Sequence, residues 1–327
     1  MRYRTLGTTD ITCSEIGFGV WTVTAGWWGE FSDDDAIGLL RAAYDHGVTF
    51  FDTAPTYGPD RRGETILARA LGTVRDRVVY STKLGYDVEA DWAYEGHRER
   101  PHRSDPAYVR QTVERSLRAL DTDVIDVLAF HNPRMHHIDQ GDLWETLEGL
   151  KAQGKVRAYG PSVGPKIGWR EEGLAALAQL PGADAFMMIH NLLEQEPGRD
   201  FLEAARGNGA GIMVRVPHSS GLLEGRYTLD TTFDANDHRA HRNREWLTEG
   251  LKKVEQLGFL TADMTIGQAA LKWLLADEQI STVLPNIYDD AQIEEFCAAS
   301  DLRDLTSDEV ARVNDLYERN FGLARAS

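Results

Sequence analysis

Cysteine is scarce in this chain: its 327 residues include only Cys13 and Cys297. Two lone cysteines, without a CxxC or Cys/His ligand spacing, exclude a disulfide scaffold and the common zinc motifs, and they are typical of the reducing cytoplasm. Histidine pairs occur in loop-like segments, but none forms part of a motif such as HExxH. We therefore predict no metal site.

Long apolar runs and positive charge are also in short supply. No apolar run approaches the roughly 18 residues that a membrane span needs, and the polar N-terminus has no signal-peptide core. Lysine and arginine number 35 against 52 aspartates and glutamates, which gives a formal net charge of −17. A surface of that sign repels phosphate backbones and argues against nucleic acid as a partner. We expect a cytoplasmic protein with neither nucleic-acid nor membrane partners.

Strand-like and helix-like segments alternate through the whole chain. Short apolar strands are predicted near residues 15–20, 48–52, 77–82, 124–130, 155–159, 184–189, 211–216 and 281–284. Helical patterns lie between them; one runs from Asp33 to His46, and another from Asp105 to Leu120 has Pro106 in its first turn. Eight strands, each followed by a helix, predict an α/β fold of the closed (β/α)8 TIM-barrel class, with residues 1–327 forming a single domain.

Additions to the barrel are expected at both ends of the chain and in two loops. Residues 3–6 and 12–14 flank a Gly-Thr-Thr-Asp turn, which predicts an N-terminal β-hairpin that caps the barrel floor. Residues 305–317 predict an extra C-terminal helix. The stretches 85–104 and 217–242 exceed the usual loop length. Long loops at the catalytic end of a barrel shape the substrate pocket.

Polar side chains follow three of the predicted strands, each at the strand's C-terminal end. Asp52 ends the run that starts at Val48, and Tyr57 follows five residues later in a Pro/Gly-punctuated loop. Lys83 and His131 end the next two strands. Taken singly, each of these residues could have an ordinary structural role: Asp52 as a helix cap, Tyr57 as a loop aromatic, Lys83 as a solvated charge and His131 as a turn histidine. Together, at the end where α/β barrels carry their active sites, they predict a catalytic constellation.

The chemistry of this constellation is proton transfer to a carbonyl oxygen. A tyrosine has a pKa near 10 in water, and a nearby ammonium lowers it. We expect Lys83 to act in this way on Tyr57, with Asp52 holding Lys83 in place and His131 binding the same substrate oxygen. The side chains supply no hydride, so a cofactor must.

The motifs that carry these residues resemble those of the aldo-keto reductase family along nearly the whole chain. They include FFDTAPTYG from Phe50, STK at 81–83, FHNP at 130–133 and PHSSGLLEGRY at 217–227. The resemblance implies a TIM barrel and a carbonyl reductase or alcohol dehydrogenase that uses a nicotinamide dinucleotide. Its catalytic tetrad falls on Asp52, Tyr57, Lys83 and His131, with Tyr57 as general acid in reduction and general base in oxidation.

The resemblance also assigns residues that contact the cofactor, although several differ from the family's usual types. Ser162 is present, but Val163 replaces the Asn that usually contacts the nicotinamide carboxamide, and Met187 replaces the usual Gln. We hypothesise that Asn191 makes the carboxamide contacts in place of the missing Asn and Gln. Arg215 occupies the place of the aromatic residue that stacks on nicotinamide, and a planar guanidinium can also stack on a flat ring. The pyrophosphate-binding loop would be formed by Pro217, Ser219, Ser220, Gly221, Leu223 and Arg226.

The resemblance and the residues disagree about the dinucleotide. The family usually binds NADP(H), with a Lys or Arg after the Pro that follows the last barrel strand. Residues 285–296 have no cation and four acids, which would repel a 2′-phosphate. NAD(H) is therefore a serious alternative to NADP(H). The cofactor residues assigned to this segment are Pro285, Asn286, Tyr288, Gln292 and Glu295.

The predicted substrate pocket is rich in aromatic residues. Trp21, Trp27 and Trp28 follow the first barrel strand, where pocket walls and core positions are about equally expected. Trp92, in the first long loop, and His218, in the second, are predicted to complete the pocket. Aromatic walls beside polar donors suit a small-molecule carbonyl or alcohol: a sugar, a polyol or an aromatic aldehyde. No oligomeric state is predicted.

Two other functions stay open at this stage. The altered carboxamide contacts are compatible with a barrel that binds dinucleotide without turnover and serves as a redox-sensing or scaffold subunit. An enzyme that uses the cofactor to isomerise a sugar, or to eliminate a group from it, is a weaker alternative. The intact tetrad favours the oxidoreductase.

Overall fold

Eight parallel strands form the centre of the molecule. The computed structural model describes residues 1–92, 99–164, 169–180, 182–235 and 237–324. An antiparallel hairpin of β1 (Tyr3–Thr5) and β2 (Thr12–Ser14) opens the chain. The barrel strands follow as β3 (Phe18–Gly19), β4 (Phe50–Asp52), β5 (Val79–Leu84), β6 (Ile125–His131), β7 (Val156–Ser162), β8 (Ala185–Ile189), β9 (Gly211–Arg215) and β10 (Ile280–Leu284). Each strand pairs with the next in chain order, from β3 to β10.

The first and last barrel strands meet through the segment just before β3. The amide of Gly17 donates to the carbonyl of Val283 at 2.8 Å, and the amide of Val283 donates to the carbonyl of Glu15 at 2.9 Å. A Cβ on Gly17 would lie 2.7 Å from a methyl of Leu284, so a larger residue would have to displace that side chain. These bonds close the sheet, and they confirm the predicted (β/α)8 barrel.

Helices surround the barrel. They are α1 (Trp21–Thr24), α2 (Asp33–Asp45), α3 (Arg62–Leu71), α4 (Pro106–Ala119), α5 (Met135–Ile138), α6 (Gly141–Ala152), α7 (Arg170–Gln179), α8 (Gly198–Ala205), α9 (Arg244–Gln256), α10 (Ile266–Leu275), α11 (Asp290–Ala298) and α12 (Ser307–Glu318). Ser32 begins α2 in a reciprocal capping box with Asp35, and Asp105 caps α4 with Pro106 in its first turn. The predicted extra helix corresponds to α12. Among the described residues, no helix has both the length and the apolar content to cross a bilayer.

The barrel interior is filled from the hairpin end. A cluster of buried side chains inside the barrel comprises Phe50, Val79, Val127, Ala158, Ala185, Met187, Met213 and Leu284, together with Leu6, Ile11 and Cys13 of the hairpin. The hairpin also bonds to the turn before β9, since the amide of Thr8 donates to the carbonyl of Gly209 at 3.1 Å. The predicted cap on the barrel floor is therefore confirmed, and the C-terminal ends of the strands remain for the site.

Stability should depend on pH through His190, a buried histidine outside the barrel mouth. Burial and the charge of Arg199 lower its pKa to about 3, against about 6.5 in an unfolded chain. Between these values only the unfolded chain binds the proton, so the free energy of unfolding falls as the pH drops below about 6.5. We expect His190→Asn to reduce the pH dependence of that free energy by about 1.4 kcal/mol per pH unit near pH 5. Urea denaturation at a series of pH values measures it.

The matched control for this prediction is His46→Asn, because His46 is exposed at the end of α2. That variant should keep most of the wild-type dependence on pH. An unchanged pH dependence in His190→Asn would contradict the assignment of His190 as a neutral buried group.

Candidate active site

The barrel mouth brings the four predicted catalytic residues together. The ammonium of Lys83 donates to Asp52 Oδ2 at 2.5 Å and to the carbonyl of Thr53 at 2.8 Å. The same nitrogen lies 4.8 Å from the centroid of the Tyr57 ring. The His131 ring meets Tyr57 edge-on, with centroids 6.3 Å apart and planes at 83°. Parallel pairing of β4, β5 and β6 puts the ends of these strands side by side, which is why residues distant in sequence converge.

The ion pair beneath Tyr57 is shielded from solvent. The side chains of Lys83 and Asp52 are 1% and 6% exposed. The second carboxylate oxygen of Asp52 accepts a hydrogen bond from the Ser81 hydroxyl at 2.8 Å. With both oxygens of Asp52 engaged, the position of the ammonium is fixed.

Burial and charge act on Tyr57 and Lys83 in opposite directions. Burial raises the pKa of Tyr57; Lys83 lowers it by a smaller amount, and Asp52 adds to the rise. The net shift corrects the expectation that Lys83 brings this pKa below its ordinary value. Burial also opposes the charge of Lys83, but Asp52 and Tyr57 together raise the pKa of the ammonium above its usual value. At neutral pH the site therefore holds a protonated phenol beside a charged lysine.

His131 is held in its neutral form. Burial, followed by the charges of Lys83 and Arg215, lowers its pKa well below the ordinary value for histidine. Its backbone carbonyl lies 2.9 Å from His102 Nε2, a contact that ties the end of β6 to the long loop after β5. A neutral imidazole beside a protonated phenol can share the binding of one oxygen atom without adding a second charge to the site.

An open cavity of about 630 Å³ lies over the tetrad. The four predicted tryptophans border it, and so do residues of both long loops. The lining residues include Trp21, Trp27, Trp28, Asp52, Thr56, Tyr57, Tyr86, Trp92, Glu99, Arg100, His131, Asn132, Arg215, Ser220, His238 and Asn286. The segment 93–98 of the first long loop lies outside the described residues.

Several polar residues of the cavity were not predicted. The Tyr86 hydroxyl donates to Glu99 at 2.7 Å and accepts from the Asn132 amide at 2.7 Å. The guanidinium of Arg100 stacks over Trp92 at 4.7 Å from the ring centroid. Asn132 directly follows β6, and Tyr86 lies two residues beyond β5, so the rule that picked out Lys83 and His131 would have found them as well.

The polar atoms near the tetrad that have no hydrogen-bond partner among the described residues include Ser162 Oγ, at the end of β7, and Arg215 Nε, at the end of β9. Another nitrogen of Arg215, Nη2, donates to the carbonyl of Val163 at 2.9 Å, which fixes the guanidinium across the mouth. Burial lowers the pKa of Arg215. An orphaned donor and an orphaned hydroxyl oxygen in a buried setting are a reason to look for a polar ligand.

Met187, Asn191 and His218 do not line the cavity, and each has its side chain engaged elsewhere. Met187 is fully buried in the barrel interior and has no polar atom to offer a carboxamide. The amide of Asn191 is occupied: its nitrogen donates to Glu194 and to the carbonyl of Val216, and its oxygen accepts two backbone amides. His218 packs on Phe296 and lies 3.1 Å from the carbonyl of Gly267, so it does not line the pocket.

The segment after β9 has an unusual backbone. Val216, Ser219 and Ser220 have positive φ angles of 58°, 47° and 56°, and Gly221 follows at 94°. Left-handed conformations at non-glycine residues concentrate at ligand sites, where the surrounding structure holds them. Pro217 and Leu223 are buried in this segment, and the Ser219 hydroxyl donates to Glu194 at 3.0 Å.

The turn after β10 packs against that segment. Arg226 pairs with Asp289 at 2.7 Å, and the Tyr288 hydroxyl donates to Glu224 at 2.7 Å. Gln292 is buried in α11 and also donates to Glu224, at 3.1 Å. The remaining predicted cofactor residues of this turn are Pro285, which is buried, Asn286, which accepts from Thr22 at 3.3 Å, and Glu295, which accepts from Thr265 at 2.5 Å. Among the described residues, no group of three His, Cys, Asp or Glu side chains is arranged to hold a metal ion.

Comparisons with a family model, with curated proteins and with solved structures all point to the family that the sequence motifs resemble. The model of the aldo/keto reductase family matches residues 15–318. Among curated proteins, the chain is 29% identical to the NADH-specific methylglyoxal reductase of Escherichia coli, with 90% of this chain and 92% of that protein aligned. It is 28% identical to aldo-keto reductase YhdN of Bacillus subtilis over 84% and 81% of the two chains. The solved glycerol dehydrogenase of Gluconobacter oxydans is 25% identical, with a TM-score of 0.82 over 99% and 97% of the two chains.

Proposed function

The chain belongs to the aldo/keto reductase family of oxidoreductases, and we propose that it moves hydride between a nicotinamide dinucleotide and the carbon of a small-molecule carbonyl or alcohol. The observation that carries the proposal is the buried Lys83 ammonium, bonded to Asp52 and facing the ring of Tyr57 at the floor of an open cavity. This arrangement supports acid–base chemistry on one substrate oxygen.

In reduction, Tyr57 would give its proton to the carbonyl oxygen as the carbon accepts hydride. The raised pKa of Tyr57 keeps the phenol protonated, and the Lys83 charge stabilises the phenolate that forms when the proton leaves. The neutral His131 would hold the same oxygen by a hydrogen bond. In oxidation the roles reverse, and Tyr57 becomes the base. The bound dinucleotide supplies or accepts the hydride.

The residues around the tetrad fit the nicotinamide carboxamide. A carboxamide has both a donor and an acceptor, and the orphaned Arg215 Nε and Ser162 Oγ offer the complementary pair. We assign these two residues to the role that Asn and Gln usually fill in the family. The pyrophosphate would bind the segment 217–226, whose run of left-handed residues is of the kind that concentrates at ligand sites.

Arg215→Met should weaken NADH binding about tenfold, because it removes a charged hydrogen bond to the carboxamide. ADP-ribose, which lacks the nicotinamide, should bind the variant and the wild type equally. Fluorescence titration with NADH and calorimetry with ADP-ribose measure the two dissociation constants. A matching loss for ADP-ribose, or no loss for NADH, would remove Arg215 from this role.

The walls of the cavity favour a small polyhydroxylated substrate. Tryptophan faces such as those of Trp21 and Trp92 suit the apolar faces of sugars and polyols, while Glu99, Arg100 and Asn132 offer hydrogen bonds to hydroxyls. Two of the similar proteins are named for methylglyoxal and glycerol, which are small oxygenated molecules. We therefore propose short aldoses, ketoses or their polyols as the substrate class.

Both cysteines are free and buried, and burial raises the pKa of each thiol to about 12. Neither is a nucleophile at neutral pH, so the proposed chemistry involves no thiol. Buried free thiols also agree with our assignment of the protein to the cytoplasm.

The direct test is a steady-state assay with NADH or NADPH and a panel of small aldehydes, ketones and aldoses, followed by loss of dihydronicotinamide absorbance. The proposal predicts saturable turnover with at least one member of the panel, and the reverse reaction with the matching alcohol and oxidised cofactor. Absence of turnover in both directions, despite dinucleotide binding, would refute it.

A further inference from the structure

A buried carboxylate lies where the segment 217–226, the proposed pyrophosphate site, meets the turn after β10. Glu224 is 6% exposed, between the segment that follows β9 and the start of α11. Its Oε2 atom accepts from the Tyr288 hydroxyl at 2.7 Å and from the Gln292 amide at 3.1 Å. The neighbours of Glu224 are thus two of the cofactor residues assigned to the segment 285–296, where the family usually has the cation that binds a 2′-phosphate.

The second oxygen of this carboxylate has no partner in the part of the chain that the structure describes. Glu224 Oε1 is buried and accepts no hydrogen bond from any described residue. A buried carboxylate oxygen without a donor is costly, and carboxylates are pure acceptors, so a ligand that fits here must bring a hydroxyl or an N–H group. The ribose of a dinucleotide that ends in an unmodified 2′-hydroxyl brings such a donor.

The charged groups around Glu224 disfavour binding of an anion beside its carboxylate. The guanidinium of Arg226 is held by both oxygens of Asp289, at 2.7 and 3.4 Å. The other nearby guanidinium, that of Arg239, is paired with Asp237 at 2.5 Å. A 2′-phosphate would meet the Glu224 carboxylate while both of these arginines are already neutralised.

We propose that Glu224 makes the protein selective for NAD(H) over NADP(H), by accepting a hydrogen bond from the adenosine ribose and repelling a 2′-phosphate. This inference rests on the proposed function only in requiring that a nicotinamide dinucleotide binds along 217–226. It differs from the argument on residues 285–296, because the selecting group lies in the preceding segment and acts from a buried position.

The experiment compares the dissociation constants of NADH and NADPH by fluorescence titration in the wild type and in three variants. The wild type should bind NADH at least about tenfold more tightly than NADPH. Glu224→Gln should reduce that ratio about tenfold or more, since it removes the charge and keeps the shape. Asp289→Asn should tighten NADPH binding by releasing Arg226, and Asn preserves the cap of α11. Glu255→Gln, which changes an exposed acid of α9 outside both segments, should leave the ratio within about twofold.

The outcomes separate this inference from the proposed function. If NADPH binds the wild type as tightly as NADH, or if Glu224→Gln leaves the ratio unchanged, the selectivity role of Glu224 is wrong while the oxidoreductase stands. If neither dinucleotide binds the wild type, both fail. Should Glu224→Gln not fold, as judged by circular dichroism, the Asp289→Asn ratio decides, and an unchanged NADPH affinity there overturns the charge argument.

Discussion

Tyr57→Phe is expected to lower kcat by about 10²- to 10⁴-fold, the usual contribution of a positioned general acid. The variant loses only the hydroxyl that would donate its proton to the substrate oxygen. The ring that faces Lys83 remains, so the cavity and the dinucleotide site should keep their shape. The dissociation constant of NADH, measured by fluorescence, should therefore change by less than about twofold while turnover is lost.

The control for this variant is Tyr80→Phe. Tyr80 lies in β5, is fully buried, and donates its hydroxyl to the carbonyl of Leu67 at 3.4 Å, away from the cavity. Its loss should leave kcat within about twofold of the wild type. A Tyr57→Phe enzyme with more than a tenth of wild-type kcat would contradict the assignment of the general acid.

Lys83→Met is expected both to destabilise the protein by about 3–5 kcal/mol and to abolish turnover. The destabilisation follows because the substitution leaves the Asp52 carboxylate buried without its cation. The loss of turnover follows because no positive charge remains to stabilise the Tyr57 phenolate. Urea denaturation gives the free energy of unfolding, and the NADH assay gives kcat.

The two effects separate in a double variant. Lys83→Met with Asp52→Asn removes the unpaired charge and should recover much of the lost stability, but none of the activity. Lys151→Met breaks a partly exposed pair with Asp184 and should cost under about 1 kcal/mol. Turnover in the double variant, or a stability loss in Lys83→Met no larger than in Lys151→Met, would contradict the role given to the buried pair.

The fold could be predicted because its signals are local. Apolar runs such as Val48 to Phe51 have the length of a buried strand, and the Ser32 cap and Pro106 mark helix starts directly in the sequence. The short helices α1 and α5, of four residues each, are too brief to give a periodic pattern, and they were not predicted.

The site was predictable where a residue's place depends on the strand it follows. Asp52, Lys83 and His131 converge because parallel strands end at one rim. Arg215, which ends β9, and Trp21, two residues after β3, reach the cavity for the same reason.

Side-chain orientation and partner choice were not predictable. The ring of His218 points toward Gly267, and the amide of Asn191 bonds to its own loop and to the carbonyl of Val216, because contacts made after folding decide these directions. The sign of the Tyr57 shift depends on the depth of burial, which the sequence does not state. From the sequence alone, Glu224 is expected to be a surface acid in a polar loop. Only the structure shows that it is buried against Tyr288 and Gln292.

Transfer of deuterium from the dihydronicotinamide to a product measures the proposed hydride transfer itself. The wild-type enzyme, in excess over NADH or NADPH deuterated at C4 of the dihydronicotinamide in either stereochemical position, is mixed with small aldehydes, ketones and aldoses, and the products are analysed by mass spectrometry. We predict an alcohol that carries deuterium at the former carbonyl carbon, formed by the wild type and formed about 10²- to 10⁴-fold more slowly by Tyr57→Phe. Tight dinucleotide binding without deuterium in any product would contradict this account and favour a barrel that binds dinucleotide without turnover.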